Sequence, residues 1–168
     1  SIDIVFFGSY YSNEQLIQEH HNLPQELQQI IFLSTEKALK CLDEPLKNVV
    51  MDCISTSIKK TKFSPAMLSI LIAATDRLVR NRYRLQCIKT LDRAGISLHI
   101  YGRGWQDIAF KHAHIFAPIS FTQTLSLMQQ AKIVLDISPM FPNGAHDRTF
   151  SAMLNGAALV TNNNAFYQ

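Results

Sequence analysis

The spacing of apolar positions changes along the chain, and those changes divide it. The first segment, Ser1–Phe7, ends in the compact run Ile4-Val5-Phe6-Phe7 and halts at Gly8-Ser9. A short apolar run bounded by a turn predicts a strand buried on both faces of a parallel sheet. From residue 12 to about residue 75 the spacing becomes helical. Ser12 and Gln15 have the spacing of a capping box, and Leu16, Ile17, Leu27, Ile30 and Ile31 recur at helical intervals. Pro24, Pro45 and Ser64-Pro65 interrupt the stretch where a helix can restart, since proline fits the first helical turn. Three to four helices are predicted, the last running to Arg93 and ending at Ala94-Gly95, where glycine supplies a left-handed cap.

Beyond Gly95, short apolar runs alternate with helical ones. Strands are predicted over Ser97–Tyr101, His114–Phe116, Ile133–Ile137 and Ala157–Thr161, with helices over Thr122–Ala131 and His146–Leu154. In the second of these helices Phe150, Met153 and Leu154 form an apolar face expected to pack inward. This alternation calls for right-handed crossovers and helices on both faces of a sheet. The expected fold class is α/β: a doubly wound, Rossmann-like, mainly parallel five-stranded sheet with a helical insertion at about 12–75, after the first strand.

Composition narrows the setting. The 168 residues suit a single domain, and 47% hydrophobic with 17% charged residues excludes a disordered chain. No apolar run reaches the ~18 residues of a membrane span, and residues 1–7 lack the basic start of a signal peptide. Cys41, Cys53 and Cys87 do not have the spacing of a disulfide framework or a zinc ribbon, so a cytoplasmic location is expected. The net charge of +3 is densest at Arg77, Arg80, Arg82 and Arg84. Leu78, Val79, Leu85, Ile88 and Leu91 interleave with them at helical spacing, which reads as an amphipathic helix with a solvated basic face. No nucleic-acid motif accompanies the stretch, and no nucleic-acid partner is expected. A chain that starts on a strand at Ser1 and ends soon after the fifth at Gln168 is expected to be an excised piece of a longer protein.

In an open parallel sheet the ligand binds beyond the carboxyl ends of the strands. The residues placed there are Gly8-Ser9, Gly102-Arg103-Gly104-Trp105, Pro118-Ile119, Ser138–Asp147 and Asn162–Asn164. Their glycines, serines and asparagines let backbone N–H groups approach a phosphate, and a helix start at His146-Asp147 adds a positive dipole end. An anionic ligand, a diphosphate by preference, suits such a surface. Gly102-Arg103-Gly104 also reads as a plain tight turn, because Asp107 stands where a dinucleotide fingerprint has its third glycine. His112-x-His114 has no carboxylate or cysteine close in sequence, and no metal is expected. His146, Asp147 and Arg148 have two readings: a helix cap with a surface ion pair, or side chains presented to a ligand.

Two stretches carry a family resemblance. One runs Ala131-Lys132-Ile133-Val134-Leu135-Asp136-Ile137-Ser138-Pro139; the other joins Asn143–Arg148, Phe150–Leu154, Gly156-Ala157 and Leu159–Thr161. Both resemble the donor-binding half of GT-B glycosyltransferases, and are most similar to the spore-maturation-protein-like group. Asp76-x-x-Val79-Arg80-x-Arg82 and the segment from Gly95 to Trp105 fit the same pattern. The resemblance covers residues 1–9 and about 76–162, and fits the helical insertion more weakly.

It implies a C-terminal Rossmann-like domain that binds a nucleoside-diphosphate sugar, with no cofactor and no metal. A separate N-terminal domain of the same protein would hold an unidentified acceptor and supply the general base, so this chain alone would bind donor without turnover. Carried over, Gly8 and Ser9 face the phosphates, Gly102, Arg103, Gly104 and Trp105 line the nucleotide, and Ile119 meets the base through its backbone. Gly144, His146, Asp147 and Arg148 lie near the sugar diphosphate, with Arg148 and His146 in the catalytic roles and Arg103 a second charge partner. Ser151 stands where many of these transferases have a ribose-binding glutamate. A catalytically degenerate scaffold of the same fold is the alternative.

Overall fold

The computed structural model describes residues 2–57 and 63–168. The expected strand start at Ser1 and the part of the insertion at 58–62 lie outside the described residues. Five strands form one sheet: β1 (Ile2–Phe7), β2 (Leu98–Tyr101), β3 (Ala113–Phe116), β4 (Ala131–Asp136) and β5 (Ala158–Thr161). Their order is β3-β2-β1-β4-β5 and every pairing is parallel. The chain moves outward from β1 to β3, then returns to the other side of β1 at β4. The order therefore reverses between β1 and β4, and the expected doubly wound fold is present.

Among the described residues, four helices lie between β1 and β2: α1 (Asn13–Gln18), α2 (Gln25–Ala38), α3 (Leu46–Ser57) and α4 (Pro65–Arg93). The punctuation read from sequence starts them. Ser12 and Gln15 close a reciprocal capping box on α1, and Ser64 caps α4 with Pro65 in its first turn. Gly95, at φ +78°, stops α4. The remaining helices are α5 (Phe121–Gln130) and α6 (Asp147–Leu154). No helix among the described residues is long and apolar enough to cross a membrane.

Side chains of β1 alternate between two cores, as the period-two geometry of a strand requires. Val5 and Phe7 join Met128, Val134 and Ala152 under α5 and α6, while Phe6 joins Ile88, Leu98, Ile100 and Trp105 under α4. A third core lies among the helices themselves, built on Leu16, Ile30, Val49, Val50, Leu71 and Val79. One residue from outside the insertion enters this helical core. Met140, from the loop after β4, is buried there with its backbone at φ +63°.

With 29 residues, α4 is about 43 Å long, two to three times the length of any strand it packs on. Its carboxyl-terminal half covers the sheet, and its last turn sits at the amino ends of the strands. There the buried Asp92 carboxylate accepts from the backbone N–H groups of Lys111, His112 and Ala113 at 2.7–3.1 Å. Its amino-terminal half consequently projects past the carboxyl ends of the strands and carries α1–α3 with it.

One expectation fails. The apolar stripe of α6 does not pack inward: Phe150 and Met153 are about half exposed and Leu154 is 86% exposed. Thr149 and Ala152 are the completely buried residues of that helix. Between α6 and the sheet there is space for small side chains only, so the bulky residues take the outer face.

Candidate functional site at the strand ends

Two loops meet at the carboxyl ends of β1 and β2, and they consume each other's polar groups. The Gly8 N–H donates to the Tyr101 carbonyl at 3.0 Å, and the Tyr10 N–H to the Arg103 carbonyl at 2.9 Å. The Arg103 N–H donates to Ser9 Oγ at 3.2 Å, and the Trp105 indole N–H to the Gly8 carbonyl at 2.7 Å. The approach is too close for any side chain. A Cβ on Gly102 would stand 2.1 Å from the Gly8 oxygen, and one on Gly104 (φ +81°) 2.0 Å from the Tyr10 oxygen.

These glycines thus seat one loop on the other, the tight-turn reading of the sequence. Trp105 is a correction: it lines no surface, being fully buried edge-on to Phe6 at 6.0 Å and against Tyr10 at 5.1 Å. With Phe110 at 6.3 Å as well, an indole placed among three aromatic rings and a carbonyl acceptor is a core residue.

Charge gathers instead at the reversal between β1 and β4. Asp136, at the end of β4, is almost completely buried and accepts from Arg148 Nη1 at 3.0 Å and from Ser138 Oγ at 3.1 Å. Arg84, reaching in from α4, donates its Nε–H to the Ile137 carbonyl at 3.1 Å and lies over the Phe6 ring. Its Nη1 is 3.7 Å from where a Cβ at residue 8 would be, directly beneath the β1 loop. Among the described residues no carboxylate forms an ion pair with Arg84 and neither Nη donates to a protein group; Asp136 and Asp76 act on it only through longer-range attraction. Burial, with Arg148 and Arg80 nearby, pushes its pKa down to about 10.

Beside Arg84 opens a cavity of about 150 Å³, lined by Ser9, Tyr11, Arg77, Arg80, Asn81 and Arg84 together with Leu16. Arg77 is bound by Glu19 and Arg80 by Asp76. Asn81 is the clamp between loop and helix. Its amide donates to the Tyr11 carbonyl at 2.6 Å while its oxygen accepts the Tyr11 N–H at 2.9 Å.

At the start of α6, His146 is the N-cap residue. The Arg148 N–H has two acceptors in reach, Asp147 Oδ1 at 2.8 Å and His146 Nδ1 at 3.3 Å, and Nδ1 also contacts Asp147 Oδ1. A single nitrogen cannot accept from one and donate to the other. The shorter bond decides: Asp147 takes the Arg148 N–H, and His146 Nδ1–H donates to Asp147. The opposite ring nitrogen, Nε2, has no partner among the described residues. Ser151 follows Arg148 by three residues, and so lies near it on the helix surface.

The remaining expected residues are dispersed. Gly144 packs against the Phe141 ring and gives its carbonyl to Asn164 at 2.8 Å. Ile119 is half-buried against the core under α5, and its backbone makes no hydrogen bond among the described residues. Arg103 is exposed and lines a separate cavity with Tyr10, Tyr11 and Asp107. The geometry therefore joins Gly8 and Ser9 to the Gly102–Trp105 loop, gathers Arg148, His146 and Asp147 at the start of α6, and leaves Gly144, Ile119 and the Arg103 side chain apart from both groups.

Sequence reasoning missed Arg84, Arg80 and Arg77 as site residues, and took Asp136 as an ordinary strand residue. A signal was present. Arg77, Arg80, Asn81 and Arg84 recur at intervals of three and four, a single stripe of α4. Nothing in that spacing says whether the stripe meets solvent or strand ends.

A doubly wound parallel sheet with cationic groups near the point where its strand order reverses defines a Rossmann-like α/β domain. Residues 80–168, more than half of the chain, match the glycosyl transferase-like family. The chain belongs to that family, as a C-terminal domain of the GT-B kind. Searches of curated proteins and of solved structures gave no match.

Proposed function

We propose that the crevice between β1 and β4 binds the diphosphate of a nucleoside-diphosphate sugar, from which the sugar passes to an acceptor held by another domain. The observation that carries this reading is Arg84, a half-buried guanidinium that makes no ion pair among the described residues and is crowded by two like charges beneath the β1 loop. A cation so placed is stabilised by an anion from outside. Arg148 has one Nη on Asp136 and keeps the rest of its donor fork, and the start of α6 adds a positive dipole end.

In such a transfer the leaving group is a nucleoside diphosphate, and charge grows on it as the glycosidic bond breaks. Donors already fixed around the leaving oxygens lower the barrier because they need not reorganise during the step. Arg84 and Arg148 would hold the phosphates. His146 would turn its Nε2 toward a hydroxyl of the donor, and Ser151 would reach the ribose in place of the usual glutamate. The acceptor, its general base, a second domain of the same protein and a cytoplasmic location belong to the same proposal.

Titration of the protein with uridine and guanosine diphosphates, followed by thermal unfolding, tests it. At ten times the dissociation constant a ligand adds about 1.4 kcal/mol, or about 3–5 °C for a domain of this size. Arg148→Ala should reduce that shift. Absence of any shift at millimolar diphosphate refutes donor binding and leaves the degenerate scaffold.

A further inference from the structure

Where the loops after β1 and β2 meet α1, they border a cavity of about 570 Å³. Small-molecule sites usually measure roughly 300–1,000 Å³. Tyr10 and Tyr11 line it in succession, with Gly104 against the Tyr10 backbone. Both tyrosines are held from behind. The Tyr10 N–H donates to the Arg103 carbonyl and its ring packs on Trp105 at 5.1 Å, while Asn81 clamps the N–H and the carbonyl of Tyr11. Tyr11 is 43% exposed, and it also lines the smaller cavity beside Arg84. Arg77, whose guanidinium lies over the Tyr11 ring at 5.5 Å, belongs to the wall of that smaller cavity and not of this one. Tyr11 therefore stands between the two, with Arg77 on one face of its ring.

The polar part of the wall is mixed. Glu14 and Asp107 bring acceptors, Arg103 brings donors, and Gln106 brings an amide with both. Ser12 and Gln15 are partly engaged in the α1 capping box, which occupies the Gln15 amide oxygen and leaves its nitrogen. An anion here would meet two carboxylates. An ammonium group would meet Arg103 and could use the acceptors alone. A hydroxyl both donates and accepts, and suits both halves of the wall. We propose that this cavity binds a neutral pyranose sugar. Its axial C–H groups lie on the tyrosine rings, and its hydroxyls bond to Glu14, Asp107, Arg103 and Gln106. Aromatic side chains already fixed by Trp105 and Asn81 favour such a ligand, because binding need not order them. The site requires no nucleotide. Resting on the proposed function, such a sugar would be the unit of the acceptor that reaches this domain, across Tyr11 from the donor's diphosphate.

The probes are methyl β-glucopyranoside, methyl β-galactopyranoside and methyl α-mannopyranoside, and sorbitol, which has the hydroxyls but no ring, is the control. Each is titrated through the millimolar range into the whole chain with ¹³C-labelled tyrosine rings. No nucleotide is present, so the outcome does not depend on donor binding. At least one pyranoside should shift the Tyr10 and Tyr11 ring signals saturably while those of Tyr83 and Tyr101 keep their positions, and sorbitol should bind about tenfold more weakly. Tyr11→Phe keeps the ring and should bind within about threefold of the wild type, whereas Tyr11→Leu should bind about tenfold more weakly. Asp107→Ala removes an acceptor and should weaken binding several-fold. Unmoved Tyr10 and Tyr11 signals with all three pyranosides, sorbitol binding as strongly as the rings, or wild-type affinity in Tyr11→Leu overturns the proposal.

Discussion

Replacing Arg84 with methionine separates what this side chain does for binding from what it does to stability. Methionine keeps an unbranched stem to lie on Phe6 and removes the charge. A pKa pushed down to about 10, chiefly by burial, means that the fold disfavours the cation relative to the unfolded chain. At neutral pH that disfavour is about 3 kcal/mol. Against it stands the bond to the Ile137 carbonyl, whose loss costs about 1–2 kcal/mol. The substitution should therefore stabilise the ligand-free protein by about 1–2 kcal/mol and raise Tm by about 2–6 °C. The same variant should lose the rise in Tm that uridine diphosphate gives the wild type. Thermal unfolding by circular dichroism, with and without diphosphate, reads both quantities. A Tm several degrees below wild type, with the diphosphate response intact, would show that Arg84 is a structural cation and defeat the reasoning.

Gly102→Ala and Gly104→Ala set a Cβ about 2 Å from a backbone oxygen, and urea unfolding should show losses of 4 kcal/mol or more. Gly95→Ala, with positive φ but open space, should cost only about 1–2 kcal/mol. Asp92 is held below its ordinary 3.8 first by the Lys111 N–H, with those of His112 and Ala113 adding to it. Its contribution to stability is therefore complete above 3.8 and fades as pH falls below that value. Asp92→Asn should flatten the acid limb of a Tm-against-pH curve; an unchanged limb would remove Asp92 from the account. On α6, Leu154→Gln should move stability by less than about 0.5 kcal/mol, whereas Ala152→Leu should overpack the core and cost about 1–3 kcal/mol.

Strands and crossovers were legible because fully buried strands leave uninterrupted apolar runs, as in Val5-Phe6-Phe7, and because Ser12, Pro65 and Gly95 mark helix ends chemically. The facing of α6 was not legible. Period alone gives a stripe and not its direction, and what turned Phe150, Met153 and Leu154 outward is the narrow space above Ala152 and Thr149. Arg84 was hidden for the same reason. A basic stripe on a helix meets water in an isolated helix, and only the length of α4 past the sheet, together with the clamp of Asn81 on Tyr11, carries it to the strand ends. Gly102 and Gly104 were legible as a turn, while the partner of that turn, the loop after β1, is 94 residues away.

A phosphate can be held by backbone N–H groups in a glycine-rich loop or by side-chain cations, and the two need different loops. Here most of the backbone of the loop after β1 is already committed. The N–H groups of Gly8 and Tyr10 are bonded to the neighbouring loop, and that of Tyr11 to Asn81. Sealing the two loops together leaves the Ser9 N–H as the backbone donor of Gly8–Tyr11 without a partner among the described residues, so under the proposed function the guanidinium groups and the start of α6 supply most of the attraction for a phosphate. Arg148 arrives from α6, anchored by Asp136; Arg84 arrives from the helical insertion, anchored by Ile137. Under the proposed function, the insertion is the element that orients one of the two cations facing the donor. Met140, from the loop that leads from β4 to α6, is buried in the helical core and ties that loop to the insertion. Displacing the insertion would move both arginines at once. Met140→Gly removes the side chain that makes this tie while tolerating φ +63°, and should weaken diphosphate binding without any change to an arginine. Binding of wild-type strength in that variant would mean that the two cations are positioned independently.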